Sequence, residues 1–444
     1  MKNFIQKLKD IWMHEELRKK ILLTLGLILI YRIGSFIVLP GVDSAALAKG
    51  SSADDGLLGL LSLFTGGAFS RASIFALGIM PYISASIIMQ LMGIAVPSVQ
   101  KMQKEGESGR KKINQYTRFL TIAIVLVQAP GYLATTVISV PGAVPVQGGA
   151  WWFSAVTILT CSTLFIMWLG ERITDKGIGN GISLIIMIGI IATLPQAIIQ
   201  EFSLASPFFF LIEIAVLLIV IGIAVLLVLG VRKVPVHSAK MNVGGGEYYN
   251  TGEQARNFIP LRVNASGVMP IIFAQAIMFL PLYLTQVESL KNSSVLQSLG
   301  DFNGFWYNLL FAVMIILFTY FYTAITVDPR QMADDLKRGG NFIPGIKPGK
   351  PTSDFLDSVL SKITLPGSVF LALIAILPAI VFNLGLTKSQ AFGIFFGGTS
   401  LLIMVGVVLD TLQQIDSHLL SRHYDGLMKS GKMRGRMSSP VSGI

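Results

Sequence analysis

Ten long apolar stretches limit the folds open to this sequence more than any other feature. They lie at about 21–39, 72–94, 119–139, 151–169, 182–200, 208–230, 265–285, 307–327, 366–386 and 391–410. About twenty apolar residues, folded as a helix, cross the ~30 Å hydrocarbon layer of a bilayer. Charged residues make up 13% of the chain, about half the share found in soluble domains. The sequence therefore predicts an all-α, polytopic integral membrane protein with ten transmembrane helices.

Lysine and arginine are distributed unevenly between the segments that separate these stretches. With the N-terminus placed in the cytoplasm, cytoplasmic segments hold 30 of the 35 basic residues. The outer segments hold only Lys49, Arg71, Lys291 and Lys388, and Arg32 lies within the first stretch. Cytoplasmic loops of membrane proteins carry an excess of Lys and Arg. Both termini are therefore predicted to be cytoplasmic, and topology accounts for most of the net charge of +11.

Ten spans divide into two halves of five. Because five is an odd number, the second half enters the membrane from the opposite side, so a structural repeat would be inverted. The predicted divisions are an amphipathic cytoplasmic segment at 1–20, a first half with span six over 21–230, a C-terminal half over 208–413, partner loops at 231–262 and 328–354, and a cytoplasmic tail at 414–444.

A further apolar run, Leu57–Phe64, is too short to cross a bilayer. Its eight residues rise about 12 Å as a helix, less than half of the hydrocarbon thickness. Gly66 and Gly67 follow it, and Arg71 precedes the second long stretch. The run predicts a short re-entrant helix entering from the outer side. Such a helix either fills a vestibule beneath a constriction or fills an ordinary packing gap.

The long stretches contain little chemistry for binding substrates or cutting bonds. Arg32 is the one deep charge and is predicted to contact protein or to snorkel, while Glu213 and Asp410 lie near the ends of their stretches. Histidine occurs only in predicted cytoplasmic segments, at His14, His237, His418 and His423. A serine nucleophile in a span would therefore lack a histidine base, and no metal-ligand spacing is present. The sequence predicts no enzyme, no metal and no cofactor.

The glycine-rich stretch GIGNG at 177–181 is not predicted to bind phosphate. A phosphate-binding loop needs a preceding strand and usually a Lys followed by Ser or Thr. Here the stretch follows ERITDK and opens an apolar span. A tight turn at the membrane surface is the prediction.

Two pairs of isoleucines are spaced four residues apart, so each pair lies on one helix face. They are Ile79 and Ile83, on either side of Pro81, and Ile186 and Ile190. Isoleucine at this spacing is usual for lipid-facing or packed positions. Pro81 is predicted to kink the second span or to weaken its hydrogen bonding.

Five blocks of the sequence are distinctive: GGAFSRASIFALGIMPYISASIIMQLM (66–92), KEGESGRKKINQYTR (104–118), ERITDKGIGNGISL (171–184), DPRQMADDLKRGGNFIPGIKPGKPT (328–352) and FGGTSLLIMVGVVLD (396–410). They resemble the SecY family, the channel subunits of the bacterial Sec protein translocon, and they span the chain in the family's order. The resemblance implies two inverted halves around an hourglass pore in the bacterial cytoplasmic membrane. The pore opens across the membrane for secreted chains, and sideways between spans two/three and seven/eight for membrane segments.

The resemblance also implies which residues form the pore. The family's aliphatic ring maps onto Ile79, Ile83, Ile186, Ile190, Ile272 and Ile403. The family's plug maps onto Leu57, Leu58, Leu60, Leu61, Leu63, Phe64, Gly66 and Gly67, within 57–66 and its glycine hinge. An aliphatic constriction is poorly wetted and offers no ligand to an ion. Such a ring would resist leakage when idle.

Partners are implied in the same way. They are SecE- and SecG-type small membrane subunits, the SecA motor ATPase, the ribosome, signal-sequence-bearing polypeptides and membrane lipids. The implied partner-binding positions are Arg232, Lys233, Arg256, Arg330, Lys337, Arg338, Lys347 and Lys350. Basic loops suit an acidic protein face or RNA phosphates, and they also satisfy the positive-inside rule. Lys347 stands where many relatives carry an arginine fork, and the glycines at 244–246 stand where relatives are often more basic.

Two other classes of function remain as alternatives. A ten-span, inverted-repeat secondary transporter would need acidic or polar ligands at mid-membrane and unwound half-helices around them. A membrane scaffold would need no ring of aliphatic residues. The only evident broken element is 57–72. A protein-conducting channel is therefore the favoured interpretation.

Overall fold

The computed structural model describes residues 12–44, 46–47, 57–145, 148–238, 257–278 and 303–429. The first half contains helices α1 (Glu15–Gly34), α2 (Leu57–Phe64), α3 (Met80–Ala95), α4 (Pro97–Lys104), α5 (Glu107–Tyr132, extended by a π-helical turn Leu133–Ile138), α6 (Gly149–Lys176) and α7 (Gly181–Leu204). The second half contains α8 (Pro207–Leu229), β1 (Val231–Ser238), β2 (Asn257–Arg262), α9 (Met269–Met278), α10 (Phe305–Thr326), α11 (Pro329–Arg338), β3 (Asn341–Phe342), α12 (Lys350–Asn383), α13 (Gln390–Gly393), a 3₁₀ turn (Ile394–Phe396) and α14 (Gly398–Lys429).

A helix lies in each of the ten predicted spans. By length and composition, seven of the described helices can cross a membrane, or eight if α3 and α4, bent by 102°, form one span. The other two predicted spans contain α1 and α9, and α9 ends where the described residues end. The prediction of an all-α, multi-pass membrane protein is confirmed.

The second predicted span is shorter than expected, and the predicted kink at Pro81 is wrong. Residues 65–79 form turns, and α3 begins only at Met80. Pro81 therefore lies in the first turn of the helix, where backbone N–H groups have no intrahelical acceptor to lose. The proline starts this helix and does not bend it.

The two halves meet along two seams. In one seam α3 packs on α9, and in the other α7 packs on α8, α13 and α14. Buried side chains from both halves and from α2 belong to a single hydrophobic cluster. Ala205 and Ser206 alone separate α7 from α8, so the covalent link between the halves, predicted to lie at the outer surface, is very short.

The two predicted partner loops, which the charge distribution assigns to the cytoplasm, fold together. β1 pairs antiparallel with β2 and with β3, in the order β2-β1-β3. Val234 and Leu261 of the sheet pack with Leu356 and Leu360 of α12 in a second hydrophobic cluster. The segment 231–262, expected to be a loop, is thus partly a small sheet held on a transmembrane helix. We call this sheet with α11 the cytoplasmic platform.

Both predicted terminal segments extend beyond what can be described. The amphipathic segment 1–20 is described only from Trp12, and its helix α1 begins at Glu15. The predicted tail at 414–444 is not a separate segment at its start, because α14 continues through it to Lys429.

Candidate functional site

The short helix α2 forms with the predicted bounds and is buried inside the protein. Leu61, Leu63 and Phe64 are 8%, 7% and 7% exposed and belong to the main hydrophobic cluster. The side chains of Leu57, Leu58 and Leu60 lie outside the described residues. α2 packs on α7, which is expected of a helix that is too short to span and must bury its apolar surface against protein.

Gly189 lets the end of α2 lie directly on the backbone of α7. A Cβ added at Gly189 would overlap the carbonyl oxygen of Phe64 and approach the amide nitrogen of Gly66 to 3.2 Å. Gly66 and Gly67 have φ of +66° and +79°, a left-handed conformation that suits glycine. The chain therefore turns away from α7 immediately after making this close contact.

Two arginines hold the carbonyl group of Gly66. Arg32 Nη1 and Arg71 Nη2 donate to the Gly66 oxygen at 3.1 and 2.9 Å. Both guanidinium groups also lie over the ring of Phe36, with Cζ 4.8 and 4.6 Å from its centroid. Of the two alternatives for Arg32, contact with protein is confirmed.

Hydroxyl groups fold the rest of this segment back on itself. Ser70 Oγ donates to Ser62 Oγ at 2.7 Å, and the backbone N–H of Phe69 donates to Thr65 Oγ1 at 3.1 Å. Tyr132 of α5 donates its hydroxyl hydrogen to the Phe69 oxygen at 2.8 Å. Residues 62–70 therefore form a compact segment whose backbone is partnered by the protein, and we call it the plug segment after the role that the resemblance implies.

The six isoleucines implied by the resemblance are all buried in the same hydrophobic cluster as α2. Ile79, Ile83, Ile186, Ile190, Ile272 and Ile403 are between 0% and 8% exposed. They come from five places in the chain: the start of α3, its first turn, α7, α9 and α14. The Ile83 amide donates to the Ile79 oxygen at 3.1 Å, which places this pair on successive turns.

Two cavities with mixed polar and apolar linings flank the isoleucines along α7, one towards the predicted outer side and one towards the predicted inner side. The outer cavity, about 620 Å³, is lined by Ser62 and Arg71 and by Thr193 and Gln196 of α7. The inner cavity, about 520 Å³, is lined by Asn180 and Ser183 at the start of α7, and by Arg262 and Asp410. Ile186 and Ile190 lie between these two sets in the α7 sequence. Apolar residues of α7 thus lie between the two cavities.

The predicted partner residues lie on the cytoplasmic platform, on the loop that follows it and at the first residue of α12. The described members are Arg232, Lys233, Arg330, Lys337, Arg338, Lys347 and Lys350, all exposed. Lys233 lies over the ring of Phe258, 4.7 Å from its centroid. Arg256 and the glycines at 244–246 lie outside the described residues. The platform therefore presents a basic surface, and its backbone is held by the sheet hydrogen bonds and by packing on α12.

The glycine-rich stretch is a turn, as predicted. Gly177–Asn180 connects α6 to α7, and Asn180 Oδ1 caps α7 by accepting from the N–H groups of Ile182 and Ser183. Among the described residues there is no strand before it, which a phosphate-binding loop would require.

Three residues of the site were missed at the level of sequence. They are Gly189, Phe36 and Glu201, the last being a fully buried carboxylate at the outer end of α7. A glycine inside a helix costs about 1 kcal/mol relative to alanine, so Gly189, between two isoleucines, was a detectable signal. Phe36 and Glu201 gave none, because their partners are distant in the chain.

Comparison with known proteins assigns the chain to a family. A family model described as SecY matches residues 73–412. A protein translocase subunit SecY from Streptomyces galbus is 42% identical over 432 residues, covering 93% of this chain and 97% of the relative. This chain belongs to the SecY family. A SecY-family protein translocase subunit from Haemophilus influenzae is 40% identical over 437 residues, covering 95% and 96% of the two chains.

Solved structures share the fold of this SecY-family chain. A structure described as a protein-conducting channel has a TM-score of 0.63 at 17% identity and covers 94% of both chains. A second, described by a plug domain that stabilises the closed channel and maintains a membrane seal, has a TM-score of 0.59 at 18% identity and the same coverage. A yeast Ssh1 complex bound to the ribosome has a TM-score of 0.58 at 16% identity and covers 89% of both chains.

Gly189→Ala should loosen the plug segment, because its Cβ would overlap backbone atoms that can move only with α2 or α7. Overpacking of this kind costs about 1–3 kcal/mol, so we expect the resting ion leak to rise at least several-fold. The measurement is the conductance of the idle protein in planar bilayers. Gly222→Ala in α8 is the control, since a Cβ there has no atom within 4 Å. Equal leak in the two variants would contradict the packing argument.

Proposed function

We propose that this SecY-family chain is the protein-conducting channel of the cytoplasmic membrane, moving unfolded secretory polypeptides across it and releasing membrane segments sideways into the bilayer. The observation that carries the proposal is α2. A helix of eight residues, unable to span, is seated in the same apolar cluster as six isoleucines and is bordered by the outer cavity. A removable stopper over an aliphatic constriction explains why so short a helix lies there.

The aliphatic constriction suits a substrate with no fixed sequence. Isoleucine side chains make no directional bonds, so a passing chain is neither held nor selected at this point. They also give water and ions nothing to coordinate, which keeps the idle channel dry. The six isoleucines are therefore the proposed pore ring, with Leu61, Leu63 and Phe64 as the described apolar side chains of the plug and Gly66–Gly67 as its hinge.

Sideways release requires a seam that can part. α3 packs on α9 across the two halves, whereas the hydrogen bonds of Gly179 with Gln414 and of Glu201 with Lys388 and Ser389 join the halves along the α7 seam. Apolar contacts without directional bonds separate into lipid at low cost. The α3–α9 seam is therefore the proposed lateral exit.

The work of translocation comes from partners in this proposal. SecA or a ribosome would bind the basic platform, and SecE- and SecG-type subunits would complete the channel in the membrane. The family assignment supports the translocon, and the yeast relative bound to a ribosome supports that partner. Both termini would lie in the cytoplasm, where the positive-inside rule puts them.

Reconstitution tests the proposed function. The chain is placed in liposomes with a SecE-type subunit, and SecA, ATP and a radiolabelled secretory preprotein are added outside. We expect ATP-dependent protection of the preprotein from protease. Omission of ATP is the control. Absence of protection together with uptake of a small solute would reject the channel and favour the transporter.

Ile190→Asn should make the idle channel leak. The amide side chain offers hydrogen bonds to water at a fully buried point of the proposed ring, and a polar group there lowers the barrier to wetting. Planar-bilayer conductance should rise several-fold, while Ile190→Val, which stays aliphatic, should keep the parental seal. If both variants sealed equally well, Ile190 would not be part of the constriction.

Reversing two charges on α11 should weaken partner binding. Lys337→Glu with Arg338→Glu changes the exposed end of α11 by four charge units, and attraction to an acidic face or to RNA phosphates should fall. We expect at least a tenfold loss of ribosome or SecA affinity at ~0.1 M salt, shrinking at higher salt. Arg110→Glu with Lys111→Glu, exposed at the start of α5, is the control. A similar loss in the control pair would mean that binding senses total charge only.

A further inference from the structure

The outer end of α7 is tied to the second half by a buried carboxylate. Glu201 is 0% exposed, and its Oε1 and Oε2 accept hydrogen bonds from the backbone N–H groups of Lys388 at 2.8 Å and Ser389 at 2.6 Å. A buried carboxylate is strongly unfavourable unless charge-assisted hydrogen bonds satisfy it. The two N–H groups therefore fix where Glu201, and with it the end of α7, can lie.

These two hydrogen bonds join the halves close to residues 205–206, where the chain passes from the first half to the second. Glu201 belongs to α7, whereas Lys388 and Ser389 precede α13 in the second half. At the other end of α7, the Gly179 N–H donates to Gln414 Oε1 of α14 at 2.9 Å. The second half thus holds α7 at both of its ends.

The helix that is held in this way carries the seat of the plug. Ile186, Gly189 and Ile190 lie between the two ties, and Gly189 touches the backbone of the plug segment. The tie also borders the outer cavity, which is lined by Ser389 and Gln200 on one side and by Ser62 and Gly67 on the other. A displacement of the end of α7 would therefore move the seat relative to the plug.

We propose that Glu201 is a positioning residue for the closed channel: by fastening the outer end of α7 to the backbone of Lys388 and Ser389, it sets the position of the plug seat at Gly189. The inference rests on the channel function proposed above. Among the described residues, the hydrogen bonds of Glu201 go to Lys388 and Ser389 and not to the plug segment or the six isoleucines. Glu201 would therefore act on the plug only through the position of α7.

A second carboxylate supplies the matched control. Glu213 of α8 is 5% exposed, and its Oε2 has no hydrogen-bond partner among the described residues. Glu213 belongs to the second half and lies near enough to Glu201 and Lys388 for their charges to act on it. It therefore controls for the loss of a charge at this place without the loss of the hydrogen bonds to Lys388 and Ser389. The same glutamate-to-glutamine change can be made at both positions.

The test compares Glu201→Gln and Glu213→Gln in the reconstituted translocon. An amide presents one acceptor oxygen and one NH₂ donor to the two N–H groups, so one hydrogen bond is lost and two donors face each other. We expect Glu201→Gln to raise the resting conductance by roughly tenfold or more, with SecA-driven translocation retained. Glu213→Gln should match the parent. Parental sealing by Glu201→Gln, or equal leak from both variants, overturns the inference, whereas failure of the parent to translocate overturns the channel function instead.

A second pair of variants tests the donors. Lys388→Pro removes the N–H that Glu201 Oε1 accepts, and Lys388→Ala keeps that N–H while removing the exposed side chain. We expect the proline variant to leak and the alanine variant to seal. The proline change should also add little to Glu201→Gln, because both remove the same interaction. Leak from Lys388→Ala equal to that of Lys388→Pro would assign the effect to the lysine side chain and overturn the inference.

Discussion

Residues 65–79 are non-helical backbone inside a membrane protein. The rest of the structure depends on giving their N–H and C=O groups hydrogen-bond partners. Non-helical backbone is tolerated at membrane depth only where protein or a water-filled cavity partners it. Here Arg32 and Arg71 share the Gly66 carbonyl, Tyr132 holds the Phe69 carbonyl, and the hydroxyl of Thr65 accepts from the Phe69 amide. These contacts draw on α1 and α5, so the plug segment is supported by the body of the first half. Two guanidinium groups thus share one carbonyl oxygen at the end of α2.

Sealing and passage make opposite demands on the same apolar cluster. A seal needs close packing, which Gly189 and Gly66 provide by bringing two backbones together. Passage needs contacts that part without broken directional bonds, which isoleucine and leucine provide. The hydrogen bonds that join α7 to the second half lie at the two ends of α7, away from the isoleucines. Directional bonds thus hold the ends of α7 and the turns after α2, and non-directional contacts among isoleucines and leucines fill the constriction.

Features set by local sequence could be predicted, and those set by distant contacts could not. The ends of α2 followed from the length of an apolar run and the glycines after it. The cytoplasmic sheet was not anticipated, because β1 pairs with strands that begin at Asn257 and Asn341, far along the chain. Glu201 resembles an ordinary polar residue near a helix end, since its partners are backbone groups of Lys388 and Ser389.

The predicted kink at Pro81 fails because α3 begins at Met80, eight residues after the predicted start of the span at 72. The resemblance to a family supplied the six isoleucines, whose spacing alone indicates no more than packing.

The cytoplasmic platform packs on α12, a helix that also belongs to the membrane part of the second half. α12 has 34 residues, a rise of about 50 Å, and its first turns hold the platform through Leu356 and Leu360 while its later turns pack on α10 and α14. A single helix therefore reaches from the basic surface to the neighbours of Ile403. A load applied to the platform reaches the membrane helices through α12 itself, and Pro366 and Pro378 are the points at which that helix can bend.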